Sequence, residues 1–181
     1  MYGLVNLAIQ ELVCSKFGVE KWHQVCELAE TPGISFHRMQ SYPDALTYKL
    51  VGGVSQVCGI TSDEALIAFG EFFVLYTGQK GYGHLFQLAG SSLFEFLHNL
   101  DVLHSRVGQN FAGMVPPSFQ CEDLDEKSVR LHYHTERSGL CPMVRGLLTG
   151  LGKYFQVAVT IAHPSCVRQG SEHCEFLVSV P

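Results

Sequence analysis

The sequence has few charged residues and no cluster of basic ones. Only 16% of its 181 residues are Asp, Glu, Lys or Arg, whereas soluble domains usually carry about 25%. The formal net charge is −5, and nucleic-acid-binding domains normally present a concentrated basic surface. We therefore expect no nucleic-acid partner. The shortage of charge, combined with 46% hydrophobic residues, indicates apolar surface beyond an ordinary core, such as a ligand cavity or a protein contact.

Long hydrophobic runs and export signals are also missing. No run approaches the 18 or more apolar residues of a membrane span. The first residues, MYGLVNLAIQELV, have neither a basic leading region nor a small-residue cleavage site. The seven cysteines are odd in number and scattered, which is typical of reduced thiols rather than a disulfide framework. We expect a cytoplasmic protein with no membrane partner.

The spacing of apolar residues changes along the chain. Through about two-thirds of the sequence it is helical, beginning with the stripe from Leu4 to Val13, and capping-box sequences at Thr61 and Ser92 predict helix starts. The segment SVRLHYHTER, at 128–137, alternates instead, and two more strands are predicted near the carboxyl terminus. Helices followed by mostly adjacent strands predict an α+β fold with helices packed on a four-stranded antiparallel sheet.

His104 is an unusual residue on the apolar face of its helix. The helix is predicted to begin after Ser92 and to continue to Val107, with Leu97 and Leu100 on the same face as His104. Burial there would disfavour the imidazolium form. The residue is either a core histidine that is hydrogen-bonded to a carbonyl group or an axial haem ligand, and the pattern alone leaves both open.

Tyr133, Thr135 and Arg137 alternate along the predicted strand and share one face. Two hydroxyls and a guanidinium that converge could bind a carboxylate or a phosphate, because Arg makes bidentate contacts with such groups. The alternative is a strand end whose polar side chains reach solvent.

Three cysteines and one histidine have the character of a metal site. An imidazole and three thiolates would form a closed tetrahedral zinc site, whereas the alternative is a set of unrelated buried thiols. The candidate ligands are Cys141, His163, Cys166 and Cys174.

Several motifs together resemble the H-NOX (haem nitric oxide/oxygen-binding) family. They are MYGLVN at the start, FGEFF at 69–73, GYG at 81–83, FLHNLDVLHSRV at 96–107, PPSFQC at 116–121, and LHYHTER followed by GLCPMVRGLLTGLGKYF. That family includes stand-alone bacterial sensors and the N-terminal haem domain of the soluble guanylate cyclase β chain. The resemblance covers essentially the whole chain. It implies one domain, 1–181, with a helical subdomain at 1–60, an α/β haem-anchoring subdomain at 61–181, and haem b buried between them.

The resemblance also implies roles for individual residues. His104 matches the proximal histidine that binds the haem iron, and Pro117 matches the proline that presses on the macrocycle. We expect Leu100, Leu103 and Phe111 to pack near it. The motif that holds the haem propionates matches Tyr133, Thr135 and Arg137, with threonine in place of the usual serine. The zinc site of some bacterial members matches Cys141, His163, Cys166 and Cys174.

The distal side of the haem predicts which gas the protein binds. The matching segments supply Val5, Ile9, Phe73, Met143 and Leu147. None of these side chains donates a hydrogen bond, which bound oxygen needs and nitric oxide does not. We therefore expect a sensor that binds nitric oxide and carbon monoxide and excludes oxygen. A hydroxyl of Tyr2 or Tyr82 in the pocket would weaken this expectation.

The resemblance implies a signalling protein rather than an enzyme. Nitric oxide would release the iron from His104, and the resulting helix shift would be read by a partner. The expected partner is a histidine kinase or a cyclic-di-nucleotide enzyme, or a fused cyclase or chemoreceptor, and we expect a monomer. The alternatives are an oxygen-binding sensor or a redox thiol–zinc sensor of the same fold. The apolar distal set argues against a haem enzyme, and the propionate motif against a haem carrier.

Overall fold

A computed structural model describes residues 1–80, 83–108 and 115–181, without the side chains of 78 and 79, and in these ranges it contains eight α-helices and four β-strands. The helices are α1 (Gly3–Phe17), α2 (Val19–Leu28), α3 (Asp44–Cys58), α4 (Ser62–Gln79), α5 (Gly83–Ala89), α6 (Leu93–His98), α7 (Leu100–Gly108) and α8 (Cys141–Tyr154). The strands are β1 (Ser118–Asp125), β2 (Ser128–His134), β3 (Thr160–Ser165) and β4 (Cys174–Ser179). No helix in the described ranges is long and apolar enough to cross a membrane.

Helices α1 to α4 pack around one hydrophobic core. Its fully buried members include Val13, Val25 and Leu50. The buried amide of Asn6 enters this core from α1, and its Oδ1 accepts a hydrogen bond of 2.8 Å from the Thr47 hydroxyl on α3. This bond fixes α1 against α3, since a buried polar group is strongly destabilising when it lacks a partner.

The four strands form one antiparallel sheet in the order β1-β2-β4-β3. Val129, Leu131 and Tyr133 alternate with more exposed residues along β2, so one face of the sheet is buried. Tyr133 lies opposite Phe119 on β1 and Cys174 on β4. The buried face packs against α8 and α6 in a second core.

Helices α4 and α8 cross in direct backbone contact. A Cβ atom at Gly146 would lie 2.1 Å from the carbonyl oxygen of Ile67, and one at Gly70 would lie 2.2 Å from that of Met143. Only glycine permits this approach. The contact joins the two cores, because α4 contributes buried residues to both of them.

The sequence predicted the α+β class and the four-stranded antiparallel sheet, and both are confirmed. The capping box at Thr61 is confirmed as well: its hydroxyl accepts from the Glu64 backbone N–H, and the Glu64 carboxylate accepts from the Thr61 N–H. At Ser92 only half of the box forms, since the Glu95 carboxylate accepts from Ser91 instead. The subdomain boundary at residue 60 stays a prediction.

Three predicted helix limits are wrong. The helix expected from Ser92 to Val107 is broken at Asn99 into α6 and α7, because the Asn99 side-chain amide donates to the Ala89 carbonyl group at 2.9 Å and caps α6. Helix α4 continues to Gln79 rather than ending before 78–83. The short helix α5 was not predicted.

Candidate functional site: a cavity between the helical core and the sheet

A cavity of about 560 Å³ lies between the helices and the sheet. Its walls come from the start of α1, the end of α4, α7, α8 and the facing residues of β1 and β2. Most of the lining side chains are aliphatic or aromatic, and the polar ones are few. A concave, mainly apolar cavity of this size with a few convergent polar groups is typical of a cofactor or small-molecule site.

His104 lines this cavity from α7. Its ring lies against Phe119 with ring centres 5.6 Å apart. Burial lowers its pKa, and the nearby carboxylate of Asp101 only partly opposes this. The buried Nδ1 atom has no hydrogen-bond partner among the described residues. The carbonyl partner expected for a structural histidine is therefore missing at this atom, and a neutral imidazole faces an apolar cavity.

Asp101 fixes the helix that carries His104. Its carboxylate accepts hydrogen bonds from the Ser118 hydroxyl at 2.9 Å and from the Phe119 backbone N–H at 2.6 Å. These two residues begin strand β1. A movement of His104 along its helix axis would therefore pull on the sheet through Asp101. The sequence analysis did not identify Asp101, because its partners lie 17 and 18 positions away along the chain.

Tyr133, Thr135 and Arg137 all line the cavity, as their alternation predicted. Only Tyr133 lies within β2, which ends at His134, so the other two lie on the following turn. The Arg137 backbone N–H donates to the Thr135 hydroxyl at 3.1 Å, which holds that turn closed. Burial raises the pKa of Tyr133 to about 12. The three side chains therefore present two neutral hydroxyls and one cation to one end of an apolar cavity.

Arg137 is held by the amino-terminal half of the chain. Its Nε donates to the Asp44 carboxylate at 2.8 Å, and its Nη1 donates to the Val115 carbonyl oxygen at 2.9 Å. The same carboxylate accepts a hydrogen bond from the terminal ammonium of Met1. Asp44 and Met1 were not identified in the sequence, where no local pattern connects them to Arg137.

The predicted distal wall is largely assembled, with one correction. Val5, Phe73, Met143 and Leu147 line the cavity. Ile9 is not among the described lining residues, because it lies one turn further along α1 and is buried at 2% exposure in the helical core.

Two further hydroxyl side chains line the cavity, those of Thr77 and Tyr2. The Thr77 hydroxyl donates to the Phe73 carbonyl oxygen at 2.6 Å, so its proton points back to its own helix. Tyr2, flagged in the sequence, does reach the cavity. Tyr82 lies outside the described residues.

The expected packing residues lie on the same side of the cavity as His104. Pro117, Leu100 and Leu103 line it. Pro116 lines it as well. Phe111 lies outside the described residues.

The four candidate zinc ligands meet between α8, β3 and β4. Their ligand atoms all lie within 4.8 Å of one another, and the Sγ atoms of Cys141 and Cys166 are 3.7 Å apart. Burial raises the pKa of Cys141 and Cys174, so that these thiols are neutral without a cation nearby. The buried Nε2 of His163 has no partner among the described residues. An unpartnered imidazole nitrogen beside three thiols fits a tetrahedral zinc ion.

Comparisons with known proteins agree with this arrangement. The chain is 30% identical over 192 residues to soluble guanylate cyclase gcy-32 of Caenorhabditis elegans, covering 99% of this chain and 28% of the relative. It is 36% identical over 116 residues to guanylate cyclase soluble subunit beta-2 of Rattus norvegicus, covering 61% of this chain and 17% of that one. The chain thus spans about a quarter or less of the length of these relatives.

Solved structures share the whole fold. An H-NOX protein from S. oneidensis in the Fe(II)NO ligation state superimposes with a TM-score of 0.90 at 21% identity, over 100% of this chain and 99% of the other. Unliganded Fe(II) H-NOX from K. algicida gives 0.83 at 18% identity, over 100% and 97%. A family model described as Haem-NO-binding matches residues 2–163. The chain therefore belongs to the Haem-NO-binding family of haem-based gas-sensing domains.

Proposed function

We propose that this chain senses nitric oxide by holding haem b in the 560 Å³ cavity with His104 as the axial ligand. The observation that carries the proposal is the neutral, buried imidazole of His104, whose Nδ1 has no partner in the described part of the chain and whose ring faces an apolar cavity. A neutral histidine is the form that binds a metal. When bound, the haem would supply the ferrous iron that takes up the gas.

The cluster of Tyr133, Thr135 and Arg137 would hold the haem propionates. Arg137 is a permanent cation, and each hydroxyl can donate to a carboxylate. Because these groups lie at one end of an otherwise apolar cavity, they would orient the haem with its charged edge toward Arg137. The remaining walls exclude water from the iron.

The choice of gas follows from the opposite wall. Val5, Phe73, Met143 and Leu147 offer no donor, and the Thr77 proton is already donated to its own helix. Bound oxygen carries partial negative charge and needs a donor, whereas nitric oxide and carbon monoxide do not. We therefore assign nitric oxide as the ligand, with carbon monoxide also bound and oxygen excluded. Tyr2 is the hydroxyl in the lining that would make an oxygen-binding sensor the second candidate.

The chain's own contacts would transmit the signal. His104 is rigidly connected to β1 through Asp101. A change at the iron that moves His104 would shift α7 against β1, and a partner that contacts this surface would sense the difference between two states. The partner would be a histidine kinase, a cyclic-di-nucleotide enzyme or a cyclase module, since relatives that extend further are named as guanylate cyclases. No catalytic step is assigned to these 181 residues.

Absorption spectra of the reduced, purified protein test this function. The spectrum should change on addition of nitric oxide or of carbon monoxide, and should stay unchanged in air until slow oxidation begins. A stable, reversible change in air would replace the assignment with oxygen sensing, with Tyr2 as the first donor to examine. Failure to take up haem would contradict the role of His104 and of the cavity.

We also propose a structural zinc ion in the cysteine cluster, a call that rests on the unpartnered Nε2 of His163 beside three thiols. Such an ion would connect α8 to the turn between β3 and β4. The Cys166→Ser variant should lose this zinc, as measured by metal analysis, while Cys58→Ser, which alters a thiol on α3, should retain it. Equal zinc content in both variants would contradict the proposal. A redox thiol–zinc role would additionally require peroxide to release the ion.

A further inference from the structure

The outer face of the sheet carries a second cluster of metal-ligating side chains, separate from the cavity and from the cysteines. We propose that His132, His173 and Glu175 bind a transition-metal ion of the zinc class. These are a strand residue of β2, the residue before β4 and a residue of β4. The proposal does not depend on haem binding, because the three side chains lie on the face of the sheet opposite to the cavity.

Strand pairing places these side chains together. His132 lies directly opposite Glu175 in the antiparallel register of β2 and β4. Their neighbours Tyr133 and Cys174 are buried on the inner face, and the period of two along each strand therefore turns His132 and Glu175 outward. The arrangement is fixed by the same hydrogen-bonded ladder that builds the core.

The three candidate ligand atoms form a compact triangle. His132 Nδ1 lies 2.9 Å from His173 Nε2, and Glu175 Oε1 lies 3.6 Å from the first and 3.5 Å from the second. The circle through these atoms has a radius of about 1.9 Å, slightly less than the zinc–nitrogen distance of about 2.0–2.1 Å. An ion therefore fits just outside the plane of the three atoms without a change in the backbone.

Neighbouring groups orient the two imidazoles. Glu122 on β1 approaches the other ring nitrogen of His132, with 3.8 Å between Oε2 and Nε2. A carboxylate on the far nitrogen is the usual support of a metal-binding histidine, since it favours the tautomer that leaves the near nitrogen free. The ring of His134 stacks on that of His173 with centres 4.5 Å apart, which restricts its rotation.

The donor set identifies the class of ion. Two imidazoles and one carboxylate suit Zn²⁺, Ni²⁺ or Cu²⁺ better than Mg²⁺ or Ca²⁺, which prefer oxygen ligands. The side chains of His132, His173 and Glu175 are 23%, 25% and 27% exposed, so that solvent reaches the site. Three protein ligands leave at least one position for water, which makes this an open, exchangeable site, unlike the closed cysteine cluster.

Zinc binding to the full chain tests the proposal. Equilibrium dialysis against Zn²⁺ should give one site that His173→Asn and Glu175→Gln each weaken at least about tenfold and that Cys166→Ser leaves intact. His23→Ala, which removes an exposed histidine on α2, is the matched control and should bind as the unaltered chain does. Zinc should also raise the melting temperature of the Cys166→Ser chain, and the further substitution Glu175→Gln should abolish that increase.

Two results would overturn the proposal. One is unchanged zinc affinity in both His173→Asn and Glu175→Gln. The other is loss of all zinc binding in Cys166→Ser. Because Glu175→Gln keeps the size and shape of a half-exposed side chain, misfolding would not explain its effect, and its circular dichroism should match that of the unaltered chain. The gas-binding spectra described above should not change in either variant, so the two proposals fail separately.

Discussion

Arg137 Nε donates a hydrogen bond of 2.8 Å to Asp44 Oδ2, across 93 positions of the chain. The same carboxylate binds the terminal ammonium of Met1. One acidic side chain at the start of α3 thus connects the amino terminus, the helical half and the cationic end of the cavity. Two cations that share one carboxylate form a network, which stabilises a protein more than an isolated surface pair does.

Substitution Asp44→Asn should lower stability in a pH-dependent way. Burial disfavours the Asp44 carboxylate, but hydrogen bonds from the amino terminus and Arg137 outweigh this and lower its pKa. The stabilisation is therefore complete above the unfolded pKa of about 3.9 and is lost as the pH falls through the lower folded pKa. We expect a loss of about 1 kcal/mol at pH 7, since the pair is partly exposed, and a smaller loss near pH 3.

Urea unfolding at the two pH values measures this effect. The matched control is Asp63→Asn, which breaks an exposed pair with Arg168 whose shorter contact is 2.9 Å. The control should cost less at pH 7, because that pair carries only one cation and lies at the surface. An Asp44→Asn loss that is as large at pH 3 as at pH 7 would show that the carboxylate charge is not responsible.

Substitution His104→Ala should weaken haem retention. Removing the axial ligand leaves the cavity walls and Arg137 as the remaining contacts, and we expect haem transfer to apomyoglobin to accelerate at least about tenfold. Free imidazole should slow the transfer again, because it can occupy the space of the missing side chain. His98→Ala is the control, since His98 is paired at 2.8 Å with exposed Asp123 on β1. Equal transfer rates in the two variants would contradict the role of His104.

Substitution Leu147→Tyr should change the gas that the protein binds. It introduces a hydroxyl donor into an apolar wall, and a hydrogen bond to a partly charged ligand is worth about 1.5–3 kcal/mol, or about 10–100-fold in affinity. The variant should bind oxygen reversibly in air, as seen in its absorption spectrum. Leu147→Phe has nearly the same volume without the hydroxyl and should remain insensitive. Oxygen binding by both would indicate an effect of cavity shape rather than of the donor.

Patterns that depend on local geometry could be predicted from the sequence. Alternation over 128–137 identified the inner face of β2 because the period of a strand is fixed at two, and Tyr133 lies there. The convergence of Tyr133 with Thr135 and Arg137 at the cavity followed even though the strand ends at His134. The turn continues the same side of the chain for three more residues.

Features that depend on distant residues could not be predicted. The bond between Asp44 and Arg137 joins two segments that share no pattern. Apolar periodicity placed Val5 and Ile9 on one helical face, but only the packing of α1 determines that the first reaches the cavity and the second the core. The break at Asn99 depends on a hydrogen bond to Ala89, and the apolar spacing continues across it.

Substitution Gly146→Ala should strongly destabilise the contact between α4 and α8. The new methyl group would lie 2.1 Å from the Ile67 carbonyl oxygen, and backbone atoms cannot yield as a flexible side chain can. We expect the free energy of unfolding in urea to fall by at least about 1–3 kcal/mol, the range for overpacked cores. Gly52→Ala is the matched control in α3, where an added Cβ meets nothing within 4 Å, and it should stabilise by about 0.4–1 kcal/mol. Since Met143 and Leu147 flank Gly146, helix separation would also widen the distal wall and should loosen haem binding in the Gly146 variant alone. A Gly146→Ala protein as stable as Gly52→Ala would mean that the two helices are not in backbone contact.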